Sequence, residues 1–200
     1  MKYLFQLAFV LPVATVFVAQ AADLRIDSAS PAAAVVRHFG WLETGLPGGG
    51  VAVHWAPDGK LDFSSADGAA ALKARAAGSA VKAVYVLWRD TAGNDQYLLV
   101  SESFVKQNPQ QAQAVIAAFE RARKWIAANP EEAVKVLGPG AVMRNLTGSR
   151  PGPAQLAALG VSAKSLGLEQ KFAAQLLDDS LVRAVIVGAV RTPVEGGLGW

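Results

Sequence analysis

Few residue types in this chain could perform chemistry by themselves. Ser65, His54 and Asp67 supply the side chains of a nucleophilic triad, but no serine has the Gly-x-Ser-x-Gly surroundings of a nucleophile elbow. The two histidines, His38 and His54, lack the HExxH-type helical pairing of a metal site. Residues 48–50 are glycines without the Lys-Ser/Thr of a phosphate-binding loop. We therefore expect no enzyme, no catalytic residue, no cofactor and no metal, with an enzyme as the less favoured alternative.

Composition narrows the classes of protein further. The 200 residues are 52% hydrophobic and 18% charged, which is enough apolar material for a folded domain and excludes intrinsic disorder. The absence of cysteine excludes disulfides, a thiol nucleophile and a zinc–thiolate cluster. A net charge of +3 is too small to indicate a nucleic-acid-binding protein.

The first 21 residues have the organisation of a signal peptide. Lys2 is their only charge, residues 4–18 are nearly all apolar, and Ala19 and Ala21 give a small-x-small cleavage pattern. The alternative is a membrane anchor, but the apolar run is short for a bilayer, which needs about 20 residues. We expect residues 1–21 to be removed and the protein to be periplasmic.

The remaining pattern predicts an α/β fold. Strands and helices alternate, which favours parallel neighbours in a sheet. A Gly/Asn/Asp-rich stretch between the last two strands predicts a β-hairpin, so the sheet would be mixed but mostly parallel. The predicted strands are 24–26, 51–55, 80–88 and 96–100, and the first helices are 32–42 and 69–77.

The C-terminal part is predicted to be helical. Pro109 and Pro130 each follow an asparagine, which is a helix-start signal. Apolar residues then recur on one helical face. Weaker helices are predicted at 154–158, 168–177 and 181–190, with a loop at 138–153 and a flexible tail at 192–200.

The chain resembles a known family, the aliphatic-sulfonate, taurine and nitrate group of periplasmic substrate-binding proteins that serve ABC transporters. The ordered set of matching segments carries the resemblance, because no single motif among them is highly specific. The matching segments are residues 37–43, 51–55, 61–72, 81–86 and 97–137.

The chain also departs from that family. Its members have two α/β lobes and hold ligand in the cleft between them. Here the chain passes from Trp88 and Arg89 to residues 94–97 without room for a second lobe. We expect a single α/β lobe at residues 22–191, with a hairpin at 89–96 in place of the second lobe.

The resemblance implies a set of ligand-binding residues. Family members hold oxyanions with backbone N–H groups and hydroxyls at helix N-termini, where the helix dipole favours a negative group. Matching positions here are Ser28 and Ser30 after the first strand, and Ser65 and Gly68 before the alanine-rich helix. Arg89 lies where the cleft wall would be and could pair with a sulfonate or carboxylate.

Structural roles compete with ligand binding at these positions. Ser30 and Asp67 are good helix N-caps, and a cap needs no ligand. At Arg89 the favoured alternative is a surface arginine in a hairpin turn. Asp67 replaces a small neutral residue of the family, and a carboxylate there repels anions and can itself occupy the amides.

Together these features predict a solute-binding component of an ABC importer. It would deliver a small, sulfonate-like or other oxyanion-bearing solute to a membrane permease, with binding impaired by the loss of a lobe. The alternative is a non-binding remnant or a dimerising structural protein of the same fold. No feature of the sequence indicates an oligomeric state.

Overall fold

The computed structural model describes residues 23–47, 51–89, 93–138 and 151–177. The predicted signal peptide, the helix at 181–190 and the tail at 192–200 lie outside the described residues. The described elements are β1 (Leu24–Asp27), α1 (Pro31–Phe39), α2 (Trp41–Gly45), β2 (Val53–Ala56), β3 (Phe63–Asp67), α3 (Gly68–Ala76), β4 (Val81–Arg89), β5 (Asp95–Ser101), α4 (Glu102–Gln107), α5 (Pro109–Ala128), α6 (Pro130–Leu137), α7 (Pro153–Ser165) and α8 (Lys171–Leu177).

The strands form one five-stranded sheet in the order β2-β1-β3-β5-β4. β1 pairs in parallel with both β2 and β3, whereas β5 is antiparallel to β3 and to β4. Four strands therefore run in one direction and only β5 runs against them. This confirms the predicted mixed, mostly parallel α/β sheet.

Helices cover both faces of the sheet. α1 packs against α5 and α6, whereas α3 packs against α7 and α8. The two faces bury separate apolar clusters, one containing Ile26, Val36 and Phe119 and the other containing Leu72 and Leu159. Because α1 and α3 follow the neighbouring strands β1 and β3 but lie on opposite faces, the sheet has a topological switch point between these strands.

The ends of α1 are set by local sequence. The Ser30 hydroxyl accepts a hydrogen bond from the Ala33 N–H at 3.0 Å, and Pro31 occupies the first turn, as predicted. Gly40 ends the helix with φ of 62°, a left-handed conformation that favours glycine.

The sequence predicts no strand at residues 63–67, and this prediction was wrong. Phe63–Asp67 is a central strand that pairs with β5 from Phe63↔Val100 to Asp67↔Gln96. Serine and aspartate have low strand propensity, yet pairing with neighbours on both sides determines the conformation. The structure also contains α4, which the sequence analysis missed, and α7 is longer than the predicted 154–158.

The last two strands pair as a hairpin would. β4 and β5 are antiparallel from Val81↔Ser101 to Arg89↔Asp95. Residues 90–92, which connect them, lie outside the described residues. The domain boundaries, including the replacement of a second lobe at 89–96, stay a prediction.

A polar network fastens the edge strand β4 to α5. The Tyr85 hydroxyl donates to Glu120, and Arg123 donates to both oxygens of that carboxylate at 2.7 and 2.9 Å. Burial raises the pKa of Tyr85 far above its ordinary value, so the phenol stays neutral. The hydrogen bond from Arg123 is the main cause that lowers the pKa of Glu120 to about 2.

This network predicts a specific pH dependence of stability. A carboxyl whose pKa is lowered in the folded state stabilises it above the ordinary pKa, and that contribution is lost as pH falls toward the folded value. We expect Glu120→Gln to lower the free energy of unfolding at neutral pH, and the difference from wild type to shrink between the ordinary glutamate pKa and about pH 2. Urea unfolding across this range measures it.

Glu132→Gln is the matched control. Glu132 pairs with Lys135 at 2.6 Å on the exposed side of α6, and such pairs contribute little to stability. A difference for Glu120→Gln that stays constant with pH would contradict the role assigned to this carboxylate.

Candidate functional site at the carboxyl edge of the sheet

The carboxyl ends of the strands β1, β3 and β4 lie beside the beginning of β5 along one edge of the sheet. The registers Asp67↔Gln96 and Arg89↔Asp95 place Asp67, Arg89 and Asp95 at this edge, and Asp27 ends β1 there. Open α/β sheets bind ligands outside the carboxyl ends of their strands at a topological switch point. This edge is therefore the candidate site.

The five predicted ligand residues divide into two groups. Ser28, Ser30 and Ser65 lie around the switch point between β1 and β3, whereas Gly68 and Arg89 line a cavity beside α7. The ligand-binding role of all five stays a prediction. The structure does define what each one contacts.

At the switch point, a carboxylate that the sequence analysis missed takes the hydrogen bonds. Asp27 is only 6% exposed, and its Oδ1 accepts the Ala29 N–H at 2.8 Å. Its Oδ2 accepts the Ser65 N–H at 3.0 Å and also the Ser65 hydroxyl. An aspartate two residues before a loop amide is an Asx-turn signal, which could have identified the Ala29 contact. Nothing local indicates the contact with Ser65.

The other two serines at this point also have internal partners. Ser30 is buried and caps α1 through the Ala33 N–H. The Ser28 N–H donates to the Ala56 carbonyl at 3.0 Å and so continues the pairing of β1 with β2. Capping is thus an observed role of Ser30, and the Ser28 amide is part of the sheet.

The cavity has a volume of about 410 Å³. Gly68 forms part of its wall, and a Cβ at this position would lie 2.8 Å from Leu159 Cδ2 and 3.6 Å from Tyr97. A glycine therefore lets α7 approach the beginning of α3. The cavity lining includes Asp67, Gly68, Arg89, Asp95, Tyr97, Gln155 and Ser162.

Arg89 is held in place by Asp95. Its Nε donates to Oδ1 at 2.7 Å and its Nη2 donates to Oδ2 at 3.2 Å, a bidentate pair that raises the pKa of Arg89. Gln155 on α7 donates to the same Oδ2 at 3.3 Å. The Asp95 side chain is 7% exposed, but that of Arg89 is 46% exposed. The pair therefore presents a guanidinium with a fixed orientation to the cavity.

The cavity lining has mixed charge. Asp67 Oδ1 accepts the Ala70 N–H at 2.7 Å and caps α3. Burial is the main cause that raises the pKa of Tyr97 to about 12, so this residue contributes a neutral phenol. The charged side chains among the described lining residues are thus the carboxylates of Asp67 and Asp95 and the guanidinium of Arg89.

A sheet of this order, with helices on both faces and polar groups at its carboxyl edge, has the architecture of a periplasmic-binding-protein-like lobe. The model of the NMT1/THI5-like family matches residues 90–133. No curated protein matches the chain in sequence.

Solved structures of solute-binding proteins share the fold. The periplasmic aliphatic sulphonate binding protein SsuA from Escherichia coli matches with a TM-score of 0.61 at 13% identity, over 79% of this chain and 92% of that one. The alkanesulfonate-binding protein SsuA from Xanthomonas axonopodis pv. citri bound to MOPS matches with a TM-score of 0.57 at 14% identity, over 84% and 98%.

A third solved structure shares the fold as well. The ligand-binding component of an ABC-type import system from Staphylococcus aureus, with zinc bound, matches with a TM-score of 0.60 at 10% identity, over 82% and 99% of the two chains. These likenesses confirm the resemblance found in the sequence at the level of the fold. Within the described ranges, no helix is long and apolar enough to cross a membrane.

The capping role of Ser30 gives a testable prediction. We expect Ser30→Ala to lower the free energy of unfolding by about 1 kcal/mol without any solute, because the buried Ala33 N–H loses its acceptor. Chemical denaturation measures it. Ser162→Ala is the control, since this exposed hydroxyl only bonds back to the Ala158 carbonyl within α7. Equal stabilities for wild type and Ser30→Ala would contradict the capping role.

Proposed function

We propose that this chain is the solute-binding component of an ABC importer and that the cavity beside Arg89 binds a small, sulfonate-like solute. The observation that carries the proposal is the guanidinium of Arg89, oriented by Asp95 and facing the cavity beside the beginning of α3. Its two bonds to Asp95 use two of the five N–H groups of a guanidinium. The others suit a planar or tetrahedral oxyanion.

The mixed charge of the lining favours one kind of sulfonate. A bare anion near Arg89 would be repelled by Asp67 and Asp95, because like charges in a partly desolvated site interact strongly. A solute that carries an amine as well as a sulfonate offers a cation to these carboxylates and an anion to Arg89. We therefore propose an aminosulfonate such as taurine rather than nitrate or a simple alkanesulfonate.

The cellular setting belongs to the same proposal. Residues 1–21 have the pattern of a cleaved signal peptide, and the similar structures include a periplasmic protein and a component of an import system. We propose that the chain acts in the periplasm, without enzymatic activity or cofactor, and delivers its solute to a membrane permease.

A single lobe lowers the expected affinity. Closure of a second lobe would exclude water and strengthen the polar contacts, and a single lobe lacks that contribution. We expect dissociation constants on the order of millimolar for a small solute with contacts on one side only.

One observation favours the competing function, a protein of this fold that binds no solute. The groups predicted to bind ligand at Ser30 and Ser65 are engaged in internal hydrogen bonds. The two functions differ in one measurable respect, which is whether a small solute stabilises the native chain.

The experiment is thermal unfolding of the purified chain with taurine, methanesulfonate and nitrate at millimolar concentrations, followed by calorimetric titration. A solute that binds only the native state raises the unfolding midpoint. We expect taurine to give the largest rise. We expect Arg89→Gln to weaken taurine binding by roughly tenfold or more, because a charge-assisted contact is lost.

Arg37→Gln is the matched control, since it removes an exposed arginine of α1 that does not line the cavity. The stability of Arg89→Gln is measured first without solute, because the substitution removes the charged partner of the buried Asp95. A midpoint that none of the three solutes raises would refute solute binding and favour the competing function.

A further inference from the structure

We propose that the Asp27 carboxylate fills an oxyanion cradle and excludes external oxyanions from it. The cradle consists of the Ala29 N–H, the Ser65 N–H and the Ser65 hydroxyl. The inference concerns the switch point between β1 and β3, not the cavity beside Arg89, and it holds whatever solute that cavity takes.

The cradle forms where β1 and β3 part. The two strands are in register at Ile26↔Phe63, and the next residue of β1 is Asp27. The Ser65 N–H lies on the β1 side of its strand and donates to the Asp27 carboxylate at 3.0 Å. The side chain thus supplies an acceptor to β3 just beyond the position at which the two strands are in register.

The donors of the cradle come from two separate elements. Ser65 belongs to β3, whereas Ala29 belongs to the turn that leads into α1, whose dipole adds positive potential near this point. N–H and O–H groups that converge from different elements on one group with two oxygens are the arrangement that binds carboxylates, sulfonates and phosphates.

The Asp27 carboxylate in the cradle is almost fully buried. At 6% exposure, a charged group must be compensated by hydrogen bonds, because burial without partners is costly. Within the described part of the chain, the three groups that donate to it are all neutral. Neutral donors directed at a buried carboxylate are a site for an anion, and here the chain itself supplies the anion.

An internal carboxylate has a large advantage over a dissolved anion. It is held beside its donors by the backbone, so its effective concentration exceeds any concentration that a solute reaches. The wild type therefore binds no external oxyanion at this point. Removal of the carboxylate frees all three donors at once, and the same donors then accept a small anion from solution.

The experiment is anion rescue of Asp27→Ala. Its unfolding midpoint is measured with increasing formate, nitrate and methanesulfonate, each against chloride at the same ionic strength. We expect a midpoint below that of wild type without anion, and a rise of several degrees with formate, which restores a carboxylate to the cradle. The wild-type midpoint changes no more with formate than with chloride.

Asp62→Ala is the matched control. Asp62 directly precedes β3, and its carboxylate also connects this segment with β1. Among the described contacts it accepts the Arg25 N–H alone, at 2.9 Å in an exposed position. Its removal leaves one donor in water, so we expect no rise specific to formate. Adding Ser65→Ala to Asp27→Ala removes the hydroxyl donor, and we expect the formate-dependent rise to decrease.

A second measurement covers the case in which Asp27→Ala does not fold. In a ¹H–¹⁵N spectrum of the wild type, the Ala29 and Ser65 amides keep their chemical shifts when formate or methanesulfonate is added, because the internal carboxylate holds both. Shifts at these two amides would mean an open cradle and would overturn the proposal. Equal formate responses of Asp27→Ala and Asp62→Ala would overturn it as well.

These readouts are separate from taurine binding by the wild type. If the cavity beside Arg89 does not bind taurine, the anion rescue of Asp27→Ala still tests the cradle. A wild type that binds taurine, together with an Asp27→Ala variant that no anion rescues, would overturn the cradle alone.

Discussion

The hydrogen bonds of the Asp27 carboxylate are the interaction on which the candidate site depends. They join β1 to β3 at the point where the helices that follow these strands, α1 and α3, lie on opposite faces of the sheet. Parallel strands that separate at a switch point leave backbone amides without ladder partners, and buried amides need acceptors. Asp27 provides them for Ser65 and for Ala29. Together with the hydrogen bond from the Ser65 hydroxyl, these two contacts close the position at which an oxyanion would otherwise meet the sheet.

Partly buried polar contacts hold the outer layers in place. Lys82 on β4 donates to the Gln175 carbonyl of α8 at 2.6 Å, and Arg75 on α3 donates to Glu102 of α4 at 2.6 Å. On the opposite face, Glu120 connects α5 with β4 through Tyr85. Each contact joins elements far apart in sequence, so the helical layers are fixed by specific charges as well as by apolar packing.

The cavity beside Arg89 combines features that suit a small charged solute, although none of them is rare alone. Asp95 orients the guanidinium, Gln155 extends that pair to α7, and Gly68 lets α7 lie close to α3. The charged groups among the described lining residues are two carboxylates and one guanidinium. A suitable solute therefore carries both a positive and a negative group. The proposed preference for a solute of mixed charge thus comes from the electrostatics of this lining and not from the fold.

The sequence by itself determined the alternation of strands and helices, the start of α1 at Ser30 and Pro31, and the mixed sheet, because these follow from periodicity and capping within a few residues. It also pointed to Gly68 and Arg89, which the structure brings to one cavity. Only the tertiary structure decided that residues 63–67 form a strand and that Asp27 meets Ser65. Both depend on partners 29 to 38 residues away, and a side chain's long-range acceptor leaves no local pattern.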